Sequence, residues 1–222
     1  MLPVEEITSS LRRVSLRTDM LIQLFPNRRR GFDVVAEAKG RCLIAVSNEE
    51  DEPMNETLET MWKRRSVRKY KTDAIPEEHL SLILEAARRA PTGANRQSWR
   101  MIVVRDPDVQ RKTAEACSNQ MWMADAPVIL CLVTLPDERR VSGTIVLDHA
   151  ILAATSLGYG TCWIGSFDAD KVKEVLGIPN DHGIVCLTPL GLAAEQPDPR
   201  PRKPPAELFM ADHFGSELDY SL

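Results

Sequence analysis

The 222-residue sequence predicts an α+β fold, and three observations predict it. Two unbroken apolar runs, PVILCLVTL at 127–135 and GIVCLTPLGLA at 183–193, have the length and continuity of central strands covered on both faces. Several other segments carry apolar residues at helical spacing. Strands and helices follow one another without strict alternation, which favours α+β over a pure βαβ series.

The elements follow in chain order. FDVVAEAKG (32–40) is expected as a short helix and RCLIAV (41–46) as a short strand, and neither carries chemistry. The acidic, Pro-containing stretch SNEEDEPMN (47–55) reads as a linker, so an N-terminal extension (1–53) precedes a longer body (54–222). Asn55 suits the cap of a helix in which Leu58, Met61 and Trp62 share a face, and the basic run KRRSVRKY (63–70) ends it. Pro76 suits a helix first turn. Leu80, Ile83, Leu84 and Ala87 then repeat at i, i+3, i+4, i+7 until Pro91. WRMIVVR (99–105) reads as a strand, and Asp106 with Pro107 opens the next helix. Residues 142–157 form a long, largely apolar helix ending at Gly158, with too few polar positions for a solvated face. GTCWIG (160–165) reads as a short strand, and DADKVKEVLG (168–177) as a helix closed by Gly177. The tail EQPDPRPRKPP (195–205) is Pro-rich and basic, expected to be extended and to lie on another surface.

Composition narrows the function. A formal net charge of -4 argues against a general nucleic-acid binder. No apolar run approaches the ~18 residues needed to cross a bilayer. The five cysteines (42, 117, 131, 162 and 186) are odd in number, widely spaced and without a C-x-x-C pair. That argues against a disulfide framework or a zinc site, and for a reducing compartment. Cys131 and Cys186, inside apolar runs, read as core residues. The first 30 residues mix arginines with Glu5, Glu6 and Asp19 and lack the apolar stretch of a secretory signal, so the expected location is the cytoplasm. RRVS (12–15) resembles a basophilic kinase site.

Standard catalytic signatures fail. GYGTCWIG lacks the third glycine of a dinucleotide fingerprint, and Ser166 stands where a P-loop needs lysine. No G-x-S-x-G elbow occurs. His79, His149, His182 and His213 show no metal-ligand spacing, and Asp148 and His149 point about 100° apart on one helix. Three stretches and a tail remain: RRSVR (64–68), the donor-rich loop APTGANRQSW (90–99), GTCWIG, and RPR (200–202). Taken singly, each also reads as a helix end, a turn, a strand edge or a solvated tail.

Together, in this order and spacing, they resemble the nitroreductase family of FMN-dependent oxidoreductases over about residues 55–209. The resemblance implies a three-layer fold with a central mixed, mainly antiparallel β-sheet flanked by helices, built as an intertwined homodimer with FMN at the subunit interface. It implies that Arg64 and Ser66, with Arg65 alongside, meet the phosphate or ribityl end, and that Arg200 and Arg202 complete a phosphate clamp. Arg is the fitting residue, because its fork is permanently cationic and binds phosphate in two places. Arg68 is implied beside the flavin ring, where positive charge stabilises the anionic reduced form. Pro91, Thr92, Gly93, Asn95 and Gln97 are implied to reach the partner's flavin, while Ile164 and Gly165 line the ring. Trp163 is open between a place near the flavin and a place in the core. Ser98 departs from the family's usual Pro before Trp99.

The implied reaction is ping-pong hydride transfer from NAD(P)H to a nitroaromatic, a quinone or a related electron-poor small molecule. The cofactor carries the chemistry, so no catalytic side chain and no metal is expected. A reductive dehalogenase or biosynthetic oxidase of the same fold, or a flavin-storage protein without turnover, stands as the alternative.

Overall fold

A computed structural model of the protein describes residues 33–38, 41–45, 55–136 and 140–219. The RRVS motif and residues 47–54 of the acidic stretch lie outside the described residues. The chain divides into two units, Met1–Asn55 and Glu56–Leu222. In the first, β1 (Asp33–Ala38) pairs antiparallel with β2 (Arg41–Ala45), with Ala38 opposite Arg41 and Asp33 opposite Ala45. The helix expected over 32–40 is therefore a strand across 33–38. Ala36, Glu37 and Ala38 suit a helix, but Val34, Val35 and a ladder to β2 override that local preference.

The second unit begins with α1 (Glu56–Lys63), α2 (Glu77–Arg88), β3 (Trp99–Val104) and α3 (Pro107–Ala116). It continues with β4 (Val128–Thr134), α4 (Arg140–Ser156), β5 (Tyr159–Thr161), α5 (Ala169–Leu176), β6 (Gly183–Leu192) and the short α6 (Pro205–Leu208). The sheet order is β3-β4-β6-β5, and each adjacent pair of strands is antiparallel. The mixed character expected of the sheet reduces, among the described residues, to one parallel bridge between Ser66 and Thr161.

Three layers follow from the alternation of β4, all seven of whose residues are buried. Val128, Leu130 and Leu132 face a cluster with Leu80, Ile83 and Ala87 of α2 and Val146, Leu147 and Ala150 of α4. Ile129, Cys131 and Val133 face the opposite cluster, with Ala114 of α3, Met123 and Val172 of α5. Helices thus cover both faces. A register shift in β6 opposite Leu132 and Val133 lets Cys186 and Ile184 join different faces.

Local signals explain several boundaries. The Asp106 carboxylate accepts from the N–H groups of Asp108 and Val109, both at 3.0 Å, and Pro107 opens α3. Asp168 caps α5 in the same way, and Gly177 closes it in the left-handed region at φ 65°. The strand expected over 160–165 runs only over 159–161. Cys162 donates its N–H to the Thr188 hydroxyl (3.2 Å) instead of the ladder, and Ile164 rejoins β6 through Leu187 alone. Leu58, Met61 and Trp62 do share a face of α1, yet that helix buries no residue against its own chain.

Cys117, Cys131, Cys162 and Cys186 are buried and free. Among the described residues, no helix is long and apolar enough to cross a membrane, and no group of side chains is arranged to hold a metal. Leu132 is completely buried at the middle of the sheet. Leu132→Ala should cost about 2–5 kcal/mol of stability in urea denaturation, and a loss below about 1 kcal/mol would contradict its place in a close-packed layer.

Candidate functional site

The basic run leaves α1 and continues as an extended strip along the sheet. Val67 N–H donates to Thr161 O (2.9 Å), Lys71 N–H to Leu192 O (2.9 Å), and Ala194 N–H returns to Lys69 O (2.8 Å). Val67 and Tyr70 turn inward onto Ala126, while Arg68 and Lys69 stay exposed. Tyr70 stacks on Trp122 with ring centroids 6.5 Å apart, and its hydroxyl donates to Val67 O at 2.6 Å. Burial pushes the Tyr70 phenol well above its ordinary range, so it stays a protonated donor. Gly160 admits this strip. A Cβ there would lie 2.9 Å from the Val67 Cβ, closer than real contacts allow.

The strip forms one wall of an open cleft of about 610 Å³. Met61, Trp62, Arg64, Arg65, Ser66 and Arg68 line one side, and Pro197, Asp198, Pro199, Arg200 and Arg202 the other. The structure thus gathers six predicted residues, from two segments far apart in sequence. Arg65 is committed locally: its guanidinium donates to Trp62 O (2.5 Å) and Arg64 O (2.9 Å), closing the carbonyl end of α1. Arg68 donates weakly to Ser66 O at 3.4 Å. Among the described residues, no hydrogen bond or ion pair engages the side chains of Arg64, Arg200 or Arg202. The C-terminal end of α1 repels anions, so side chains alone make this cleft attractive to one. Forked, permanently charged and unpaired donors of this kind fit a phosphate group.

Behind the wall lies Cys162. Burial raises its thiol pKa, with Arg68, Ser66 and Arg64 pulling the other way and Glu195 adding to the rise, so the thiol stays protonated. Next along the chain, Trp163 is 41% exposed, which removes the core reading for it. Ile164 is buried and paired with Leu187, and Gly165 is exposed beside it. A Cβ on Gly165 would meet only Trp163 Nε1, at 3.9 Å, so the chain's own packing does not require glycine there. Ser166 is held by Ser118, whose hydroxyl lies 3.0 Å from its own, and by Gln120 Nε2 donating to its carbonyl at 3.2 Å.

Pro91, Thr92, Gly93, Asn95 and Gln97 do not line this cleft. Their loop is nonetheless tightly specified. Ala94, Asn95 and Gln97 adopt φ values of 48°, 54° and 51°, in the left-handed region. Asn95 N–H donates to Thr92 O (2.9 Å), and Gln97 N–H to the Thr92 hydroxyl (3.1 Å). Gln97 Nε2 donates to Asn95 Oδ1 at 3.2 Å. A mostly exposed loop held in this shape presents fixed polar groups outward.

Sequence reasoning missed several cleft residues. Met61 and Trp62 read as an ordinary apolar face, and a tail read as basic passes over Asp198 in the cleft and Glu195 beside it. Glu195 Oε1 in fact accepts the Arg68 N–H at 2.7 Å across 127 residues. Nothing in a linear motif announces such a pair.

The family model described as the nitroreductase family matches residues 62–134 and 118–192. The chain belongs to the nitroreductase family. A protein of Thermus thermophilus named NADH dehydrogenase is 34% identical over 182 residues, covering 64% of this chain and 89% of that protein. Among solved structures, B. megaterium NfrA2 superposes with a TM-score of 0.68 at 27% identity, covering 72% of this chain and 76% of that one. The NADPH:FMN oxidoreductase from Vibrio harveyi complexed with NAD+ gives a TM-score of 0.68 at 25% identity, covering 74% and 80%. The nitroreductase match takes in the basic strip, the donor loop and Gly165, and ends before Arg200 and Arg202.

Gly160→Ala should force the strip off β5. The expected loss is about 1–3 kcal/mol in chemical denaturation, the range for overpacking. An unchanged midpoint would show that Val67 yields without dislodging the wall.

Proposed function

We propose that this nitroreductase-family protein is an FMN-dependent NAD(P)H oxidoreductase that reduces nitroaromatics, quinones or related electron-poor acceptors by ping-pong hydride transfer. The observation that carries the reading is the cleft between residues 64–68 and 197–202, where Arg64, Arg200 and Arg202 stand unpaired. The names of the related proteins, among them an NADPH:FMN oxidoreductase, support it. The chemistry supplied with FMN bound is two-electron transfer in two half-reactions.

The chain's own residues supply position and charge. Arg64, Arg200 and Arg202 hold the phosphate, with Ser66 at the ribityl end. Arg65 keeps α1 closed beneath them. Arg68 provides positive charge for the anionic reduced ring. Ile164, its side chain buried in the core, offers the ring its backbone only, and Gly165 leaves its backbone open to close approach, which accounts for a glycine that packing does not demand. The FMN-binding domain in this proposal is residues 54–222, following the N-terminal extension 1–53, and the protein works in the cytoplasm.

The assembly in this proposal is a homodimer. Trp62 is 63% exposed and Phe214 98% exposed, with Leu58, Met61 and Leu208 also open to solvent. Apolar area of this kind is what an obligate partner covers. A second subunit also gives the loop of Pro91, Thr92, Gly93, Asn95 and Gln97 a flavin to reach, since its own cleft lies elsewhere.

Acid release from purified, reconstituted protein should yield FMN, identified by chromatography; FAD or no flavin would sink the reading. Arg64→Ala and Arg202→Ala should each weaken FMN binding by about 1.5–3 kcal/mol, the range for hydrogen bonds to charged groups. Arg68→Leu should instead lower the reduction potential while leaving more of the affinity. Equal effects of all three on affinity, with an unchanged potential, would contradict these roles.

Subunit sharing has its own test. Mixed Arg64→Ala and Asn95→Ala subunits should regain one intact flavin site per heterodimer, the other site carrying both lesions. A stable, fully flavinated monomer in light scattering at micromolar concentration would rule the arrangement out.

A further inference from the structure

We propose that Glu195 is a positioning residue that couples the two walls of the cleft, setting where Arg200 and Arg202 stand relative to Arg64 and Arg68; the proposal rests on the FMN reading above. One wall leaves α1 and is fixed to the sheet edge. The other leaves β6 at Leu192 and has to be aimed.

The hydrogen bonds show where the aiming happens. Ala194 N–H donates to Lys69 O at 2.8 Å, and the Glu195 carboxylate then accepts the Arg68 N–H at 2.7 Å. Beyond it, among the described residues, no hydrogen bond holds the tail through Arg202. The next is Glu207 N–H to Pro204 O, at 3.0 Å, within the tail itself. Glu195 is thus the last tie before the arginines. Pro197, Pro199 and Pro201 fix every second φ between it and Arg202, so a direction set at Glu195 is transmitted along a stiff segment.

Charge makes the placement informative. A carboxylate beside a phosphate-binding cleft opposes anion binding, and the Glu195 field acts on Cys162 and Tyr70 in the opposite sense to that of Arg68. What the carboxylate offers in return is a strong, charge-assisted acceptor for a backbone N–H. Acceptor and charge can be separated: Glu195→Gln keeps the first and loses the second, while Glu195→Ala loses both.

The test combines amide hydrogen exchange on flavin-free protein with FMN titration followed by fluorescence quenching. Glu195→Ala should speed exchange at the Arg68 amide and at the neighbouring Ala194 amide, and weaken FMN binding by about 10- to 100-fold. Glu195→Gln should restore slow exchange and bind FMN as tightly as the unsubstituted protein or more tightly. Arg202→Ala should weaken FMN binding less in the Glu195→Ala background than alone, because an unaimed tail has less to lose. Glu195→Met, similar in volume but without the acceptor, repeats the Ala arm should that variant fold poorly. Unchanged exchange and affinity in both acceptor-less variants would overturn the proposal, as would strict additivity with Arg202→Ala. If the unsubstituted protein takes up no FMN, the cofactor reading fails, while the exchange arm still decides whether Glu195 anchors the tail.

Discussion

The cleft depends on one constraint: the backbone of residues 66–71 has to lie against the β5–β6 edge. Left as a helix end, the basic run would be a solvated cluster with no fixed geometry. The bonds from Val67 to Thr161 and from Lys71 to Leu192 convert it into a strip whose side chains face in or out by position. Val67 and Tyr70 bury themselves, and Ser66 and Arg68 are left facing the cleft. The strip in turn holds the chain leaving β6, Ala194 N–H donating to Lys69 O. Both walls are therefore tied to one rigid sheet, and the missing side chain of Gly160 is what permits the approach.

Much of this was legible in the sequence where local chemistry and tertiary packing agree. The unbroken apolar runs became β4 and β6, and Asp106–Pro107, Asp168 and Gly177 set helix ends through their own hydrogen bonds and dihedrals. Legibility failed where a distant partner decides. FDVVAEA has helix-forming alanines and becomes a strand because RCLIA pairs with it. GTCWIG leaves the ladder at Cys162 because a threonine 26 residues away captures its N–H. The arginines of the cleft were readable as residue types in a familiar order. Glu195 was not, since a carboxylate bonding a backbone N–H leaves no pattern in the chain that receives it.

The electrostatics are local and run against the whole. The chain carries net charge -4, yet five arginines line one cleft. Two are partly occupied, Arg65 with the carbonyls that end α1 and Arg68 with Ser66 O. The remaining three have no counter-ion or hydrogen-bond partner among the described residues, so an anion entering the cleft displaces no ion pair there.

The buried cysteines have a chemical consequence of their own. Electrophiles alkylate thiolates far faster than thiols. Here Cys117, Cys131, Cys162 and Cys186 all lie within the layers. Desolvation holds the Cys117 and Cys131 thiols up at about 12, and those of Cys162 and Cys186 are raised as well. The reactive thiolate is scarce at neutral pH. The packing that builds the sheet therefore also keeps these four thiols in their unreactive form.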